Sequence, residues 1–434
     1  MRQLFICCLF ISSVNYVAAQ DAAEVANYRF SLEDCITFAF ANSYTRQSMK
    51  LSEQSAKEVY DLSKYQRYPN LSASLNEGLN HTNGSSANWN GTYGINSNVT
   101  LYQGGAITHT IEQNKLQADQ SLLQTQQYDQ SLVVQILQSF LSVLGNQELL
   151  KYQEAVVTTS AEQLVQGEAQ WKAGSIIESD YLLLNAQDAS AKSNVVNTKI
   201  AITNSLITLK SLLSMDPLAN LAIVYPNDGE IDDLALLPPQ GEALQKCLVT
   251  SPTLKLSQSD IDIANNSLQL AKSGYYPTLS LGGSLGTGHS SDYTNFGSQL
   301  SNNFNQHIGI TLSIPIFDNF KTKSQVTQNK IALEQAEINR KNQQLTLSQT
   351  LIQEYQNVIS FYTQYKATNI SQDAYYKTYM AYKAKFNAGS ATVVDLLQQQ
   401  NNYLNALNGF IQSKYGFLLN RKILDVYMGE EIRL

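Results

Sequence analysis

The sequence predicts an α+β chain written twice, each copy holding a pair of β-strands followed by a hairpin of two long helices. Three observations carry this: matches that recur at a fixed spacing, short stretches whose apolar residues alternate, and two long stretches without proline. Across the 434 residues, Tyr68-Pro69-Asn-Leu71 matches Tyr276-Pro277-Thr-Leu279 at an offset of 208. Gln113-Asn114-Lys115 matches Gln328-Asn329-Lys330 at 215, and the same 215 aligns Ala173-Gly174-Ser175 with Ala388-Gly389-Ser390 and Asp180 with Asp395. One insertion of seven residues, opposite Leu79 to Tyr93 of the first copy, accounts for the drift. Register kept over that distance marks a structural repeat.

Taken in order, residues 1–19 read as an export signal, with a positive start at Met1-Arg2, an apolar run from Leu4 to Ile11, and small residues at Val17-Ala18-Ala19. The run is too short to span a bilayer, and Ile6 before Cys7 does not suit a lipoprotein signal. The first copy is expected over 20–217, a linker over 218–240, the second copy over 241–428 and a tail over 429–434. After cleavage two cysteines remain, Cys35 and Cys247, each in an apolar helix-like stretch, which favours buried thiols over a disulfide. No later stretch approaches the ~18 consecutive apolar residues of a membrane helix, so a membrane role would require a β-barrel.

Each copy opens with a helix, and the strands come next. In the second copy Leu279, Leu281 and Leu285 alternate with Thr278, Ser280, Gly282 and Ser284; then Ile308, Ile310, Leu312, Ile314 and Ile316 alternate with Gly309, Thr311 and Ser313. The first copy repeats this more weakly, with Leu71, Ala73, Leu75 and Leu79, then Tyr93, Ile95, Val99 and Leu101. Such period-two patterns put the apolar side chains on one face of a sheet. That face packs on a core in a soluble protein and meets lipid in a barrel, and alternation alone suits both. The joining loops, His81 to Gly91 and Gly288 to about Gln306, are rich in turn formers, and the second carries the extra length.

From Gly105 to Gly174 there is no proline, and apolar residues recur at three and four, as in Val133, Leu137, Phe140, Leu141 and Leu144. A helix of that length would reach about 105 Å and calls for coiled-coil packing. At Gly174-Ser175 and Gly389-Ser390 the glycine can close one helix in the left-handed conformation and the serine can cap the next. The returning helices are expected from about Ile176 to Leu213 and from Thr392 to Tyr427. Four strands cannot close a barrel. If they are membrane strands the chain must oligomerise, and three copies supply twelve.

Composition narrows the function. With 15% charged residues and a net charge of −7, no basic stripe is available for nucleic acid. The 25 Tyr and many neutral polar residues suit a surface between lipid headgroups and water. There is no GxSxG, P-loop or HExxH, and neither a cofactor nor a metal is expected. His81 and His289 fall in equivalent loops, where solvated histidines are expected. The tyrosines at 375, 376, 379 and 382 form a helical stripe expected to pack between helices.

Tyr-Pro-x-Leu opening a strand, Leu-Ser-Ile-Pro315-Ile-Phe317-Asp-Asn closing one, and Phe386-x-Ala-Gly-Ser followed by a helix bearing Asp395, in this order and duplicated, resemble the TolC-like outer-membrane efflux family along nearly the whole chain. The resemblance implies an α+β membrane protein: a homotrimer with a twelve-stranded transmembrane β-barrel and an α-helical barrel closing like an iris. It implies no enzyme activity, a site in the outer membrane with a large periplasmic portion, and partners in a periplasmic adaptor and an inner-membrane transporter that dock at the tips, Gly174, Ser175, Gly389 and Ser390. It places the constriction at Asp395, at Gln398, where relatives carry a second acid, and at Asp180. A lock of relatives falls on Phe386 and Ala391 and is expected to be altered. The contrasting reading of Asp180 and Asp395 is a solvated acid near a helix start, where the dipole favours it. A periplasmic coiled-coil adaptor or a surface filament is the rival class; an adaptor needs one hairpin flanked by compact β-domains, whereas here two hairpins each follow a strand pair.

Overall fold

The computed structural model describes residues 27–81, 83, 86–224, 237–291 and 295–430. The expected export signal, most of the expected linker and the last four residues lie outside them. In chain order the elements are β1 (Asn27–Phe30), α1 (Leu32–Asn42), α2 (Tyr44–Lys64), β2 (Asn70–Asn80), β3 (Asn88–Gln103), α3 (Ala106–Lys172), α4 (Glu178–Leu212) and β4 (Asn220–Ile223). The second copy follows with α5 (Gln240–Thr250), α6 (Pro252–Ser273), β5 (Thr278–Ser290), α7 (Phe296–Asn302), β6 (Asn305–Ser313), α8 (Lys321–Asn387) and α9 (Val393–Met428).

The opening helix of each copy is in fact two helices, broken at Ser43 and Ser251. Both serines adopt nearly the same backbone, φ −57°, ψ 116° and φ −54°, ψ 119°. In the second copy Pro252 forbids a helical Ser251; in the first, where no proline stands, Ser43 Oγ accepts from Arg46 N and starts α2. Arg46 then holds the break against α3. Its Nε donates to Asp129 Oδ1 at 2.7 Å, one terminal nitrogen to Oδ2 at 3.1 Å, and the other to Phe40 O at 2.7 Å.

Each copy has its own core at the middle of its long helix. In the first, Leu132, Ile136, Leu137, Phe140 and Leu144 of α3 pack on Cys35 and Ala39 of α1, on Leu209 of α4, and on the short parallel pair β1–β4. In the second, Leu351 and Val358 of α8 pack on Ala243 and Cys247 of α5 and on Phe417 and Leu424 of α9. The 208 offset pairs Cys35 with Ala243 and Ala39 with Cys247, so the same two buried positions hold cysteine and alanine in reversed order. Both thiols are free and lie in different cores. Burial pushes Cys35 up to about 12 and Cys247 to about 11, which leaves both unreactive.

The four long strands form one antiparallel sheet in the order β2-β3-β5-β6, with the two copies joined through β3 and β5. Strands β2 and β6 are its open edges. Two expectations about length are corrected. β6 stops at Ser313, leaving Ile314 and Ile316 outside, because Pro315 has no N–H for a ladder. β5 runs on to Ser290 and so takes in His289, while the longer second loop holds the seven-residue α7. A bulge after Thr100 places Tyr102 opposite Leu279, so Tyr102 takes the apolar-face place expected of Leu101. No helix among the described residues is long and apolar enough to cross a membrane.

α3 and α8 each run 67 residues, about 100 Å if straight. The turn into each uses two consecutive left-handed residues at matching positions, Gly104-Gly105 (φ 58° and 85°) in the first copy and Asn319-Phe320 (φ 54° and 61°) in the second.

Candidate functional site

Two regions carry candidate function: the faces of the sheet and the tips of the helical hairpins. The ladder register settles which side chains share a face. Leu71, Ala73 and Leu75 of β2 stand beside Tyr93, Ile95 and Val99 of β3, then Leu281 and Leu285 of β5, and Ile308, Ile310 and Leu312 of β6. Among the described residues the middle of this face is uncovered, and only toward its loop end does α7 pack on it, with Phe296 against His289 and Leu300 O accepting from Thr287 Oγ1. Leu71 is 77%, Leu75 75%, Ile308 79% and Ile310 68% exposed. An apolar face so uncovered is the signature of an interface or of lipid contact, not of a core. The reverse face carries Asn, Ser, Thr and Gly, with Gln103 and His307.

Toward the loop end the apolar face holds a polar clasp that the alternation pattern did not reveal. Glu77 of β2 and His289 of β5 both lie opposite Gly91 of β3 and reach toward each other over it. Trp89 Nε1 donates to Glu77 Oε2 at 2.6 Å, and the Tyr93 hydroxyl donates to Oε1. His289 Nε2 lies 3.7 Å from Glu77 Oε2, and its ring meets Phe296 edge-on at 4.8 Å. A Cβ on residue 91 would fall 2.2 Å from His289 and 2.4 Å from Glu77, so glycine there makes room for the pair. His289 is therefore no solvated loop histidine, as expected from sequence, but a largely covered strand residue beside a carboxylate. The expectation failed because the Gly-Thr-Gly-His stretch of β5 carries no alternation. Aromatic residues at this level suit the headgroup zone of a membrane.

At the far end, α3 turns into α4 and α8 into α9. Gly174 (φ 72°) and Gly389 (φ 75°) are left-handed as expected, and a Cβ would meet nothing at either. The serines behave otherwise than expected. Ser175 N donates to Gln170 O at 2.8 Å and Ser390 N to Lys385 O at 2.9 Å, so they complete the end of the outgoing helix. The N-caps of the returning helices are Ile177 and Thr392. This difference separates the two candidate acids. Asp395 Oδ2 accepts from Thr392 Oγ1 at 2.7 Å while Asp395 N donates back to that hydroxyl at 3.1 Å, a complete capping box. Asp180 sits at the same helical position, but Ile177 offers no side-chain acceptor or donor. Asp395 and Gln398 are exposed, and Gln398 Nε2 donates to Asn402 Oδ1 at 3.2 Å.

Behind the tips the hairpins pack on each other. Leu184 of α4 joins Phe386, Val393, Leu396, Leu407 and Ile411 in one cluster. Tyr379 and Tyr403 stack with centroids 6.0 Å apart, and burial raises each to about 12; Tyr375 and Tyr376 stay exposed. Higher up, Glu148 of α3 accepts from Lys414 Nζ at 2.9 Å and from the Tyr415 hydroxyl at 2.6 Å, linking first hairpin to second. Between these points lies a cavity of about 150 Å³ whose lining mixes amides such as Gln153, Gln187 and Asn401 with Leu149, Val156 and Leu404.

Comparison with known proteins agrees with this architecture. Outer membrane protein TolC of Vibrio cholerae serotype O1 is 24% identical over 344 residues, covering 75% of this chain and 74% of that one. Among solved structures, the CusC channel superposes with a TM-score of 0.81 at 16% identity, covering 92% of both chains. The Campylobacter jejuni CmeC outer membrane channel gives 0.79 at 18% identity, covering 99% of this chain and 94% of that one. The sequence profile of the outer membrane efflux proteins matches residues 38–214 and 243–430, most of both copies, and the chain belongs to that outer-membrane family.

Proposed function

We propose that three copies of this chain form a passive exit duct through the outer membrane, the terminal part of a tripartite efflux or type I secretion system. The observation that carries this reading is an open four-stranded sheet, apolar and uncovered on one face, attached to helical hairpins about 100 Å long. In lipid the unpaired edges of β2 and β6 must find partners. Pairing β6 of one copy with β2 of the next closes a barrel of twelve strands. A second feature supports packing between copies: Ile331, Ile338, Leu345 and Ile352 recur every seven residues along α8 and are all exposed. The barrel would sit in outer-membrane lipid and the helices would form an α-helical barrel in the periplasm.

In this reading the hairpin tips, with Gly174, Ser175, Gly389 and Ser390, dock a periplasmic adaptor (membrane fusion) protein, which couples the duct to an inner-membrane transporter. The tips are exposed and flanked by the exposed apolar residues Ile177 and Val394. The test is direct: the protein should fractionate with the outer membrane and run as a detergent-resistant trimer with mixed α and β circular dichroism. A soluble monomer in the periplasmic fraction would remove the barrel.

The constriction is assigned to Asp395, followed by Gln398, with Asp180 nearby. Three Asp395 carboxylates around one axis, within a Debye length of ~8 Å, would attract cations into the opening. Asp395→Asn preserves an acceptor for the capping box while removing the charge. Single channels of that variant should show weaker cation selectivity, and block by multivalent cations from the periplasmic side should weaken about tenfold, the equivalent of ~1.4 kcal/mol. Asp180→Asn should change both less. Unchanged block in Asp395→Asn would leave Asp395 with its capping role alone.

A further inference from the structure

We propose that His307 sets the charge of the barrel lumen and makes the outer half of the duct anion-selective on acidification. This rests on the reading of the polar sheet face as the lumen wall of a trimer. Along all four strands that face consists of Asn, Gln, Ser, Thr and Gly, with one titratable side chain, His307. Its row across the sheet runs Ser72, Asn96, Ser284, His307, so every neighbour in the row is neutral.

The other ionisable groups of the sheet stand elsewhere. Glu77 and His289 stand side by side on the apolar face. α7, packed against β5, contributes no ionisable residue to the wall. His81 lies in the loop after β2, beyond the strand. The imidazole itself is exposed and folds along its own strand over residue 309, where a Cβ would come within 2.9 Å of Nε2; glycine leaves it that space.

A wall of neutral amides and hydroxyls places no fixed charge in the path of cargo. Imidazole is the side chain that ordinarily changes charge between about pH 5 and 8. Three protonated copies would place a ring of three positive charges on an otherwise neutral wall. Solvent in a narrow lumen screens such a ring less than bulk water does, so cations are repelled and anions concentrated. The ring and the Asp395 constriction then act on permeant ions with opposite sign.

The experiment measures reversal potential under a salt gradient for purified trimers in planar bilayers, at pH 8 and pH 5, in the Asp395→Asn background. The cation-to-anion permeability ratio should fall about threefold on acidification, as expected for a few charges added to a neutral pore. Adding His307→Asn should abolish that fall, whereas adding His81→Asn should leave it. A His307→Asn channel that keeps the full fall, or a His81→Asn channel that loses it, overturns the proposal. Placement is tested separately with His307→Cys: a bulky aqueous thiol reagent should reduce conductance, and an unmodified channel would put residue 307 outside the lumen while the duct reading stands. Wild-type trimers that fail to conduct would overturn the duct itself.

Discussion

Ile310→Arg and Leu281→Arg are expected to abolish trimer assembly in the membrane, while Thr311→Arg, one residue along the same strand, leaves most trimer intact. Ile310 and Leu281 are cross-strand partners on the uncovered apolar face, and Thr311 points to the other side. An arginine facing lipid near the bilayer midplane costs roughly 2–4 kcal/mol, and a trimer bears that cost three times. On the polar face the guanidinium stays hydrated and its effect is confined to pore size and charge. Trimer yield in the outer membrane, read from unboiled detergent gels, separates the two. Equal losses from both faces would show the assignment of lipid and lumen to be wrong.

Gly104→Val is expected to destabilise the junction between sheet and helices by about 3 kcal/mol, adding a left-handed backbone penalty to overpacking. At φ 58° its Cβ would lie 2.6 Å from the Tyr276 Cβ and 2.7 Å from the Ser273 carbonyl oxygen, which is backbone and cannot swing away. Gly174→Ala is the matched control: it is left-handed too, but its Cβ meets nothing, so it should cost only about 1 kcal/mol. Thermal dissociation of the trimer followed by circular dichroism would show the difference. Similar shifts for both would mean that conformation alone, not the contact with Tyr276, makes glycine necessary at 104.

The repeat, the strand pairs and the two long helices were legible in the sequence because each rests on a long periodic signal. The misses share a physical cause, which is that local chemistry has several uses. Ser175 and Ser390 follow a helix-closing glycine, a place where serine can end one helix or begin another; the backbone bond to residue i−5 decided it. Ser43 breaks a helix without proline, and the mark of the break is the cap that its hydroxyl gives Arg46 N. β5 and β3 extend through Gly, Asn, Thr and His, which carry no alternation, and this hid the Glu77–His289 clasp. At the tips Asp180 and Asp395 looked equivalent, and the residue three positions earlier, Ile177 or Thr392, distinguishes them. The lock position Phe386 is buried between the hairpins, where it serves packing.

The pairing of β3 with β5 has a consequence for the order in which the chain can mature. Residues 88–103 find their second partner only when residues 278–290 arrive, close to two hundred positions later. A chain delivered from its N-terminus therefore exposes β2 and β3 as a two-stranded ribbon, marginal by itself and apolar on one side, for the whole time the first hairpin and the linker are emerging. Loop closure over that distance adds delay as well as entropy. Neither copy is thus a foldable half: truncation before the second copy would strand an apolar edge in water, an invitation to aggregate. Gene duplication doubled the motif, yet the product matures as a single unit whose first-made strands wait for its last.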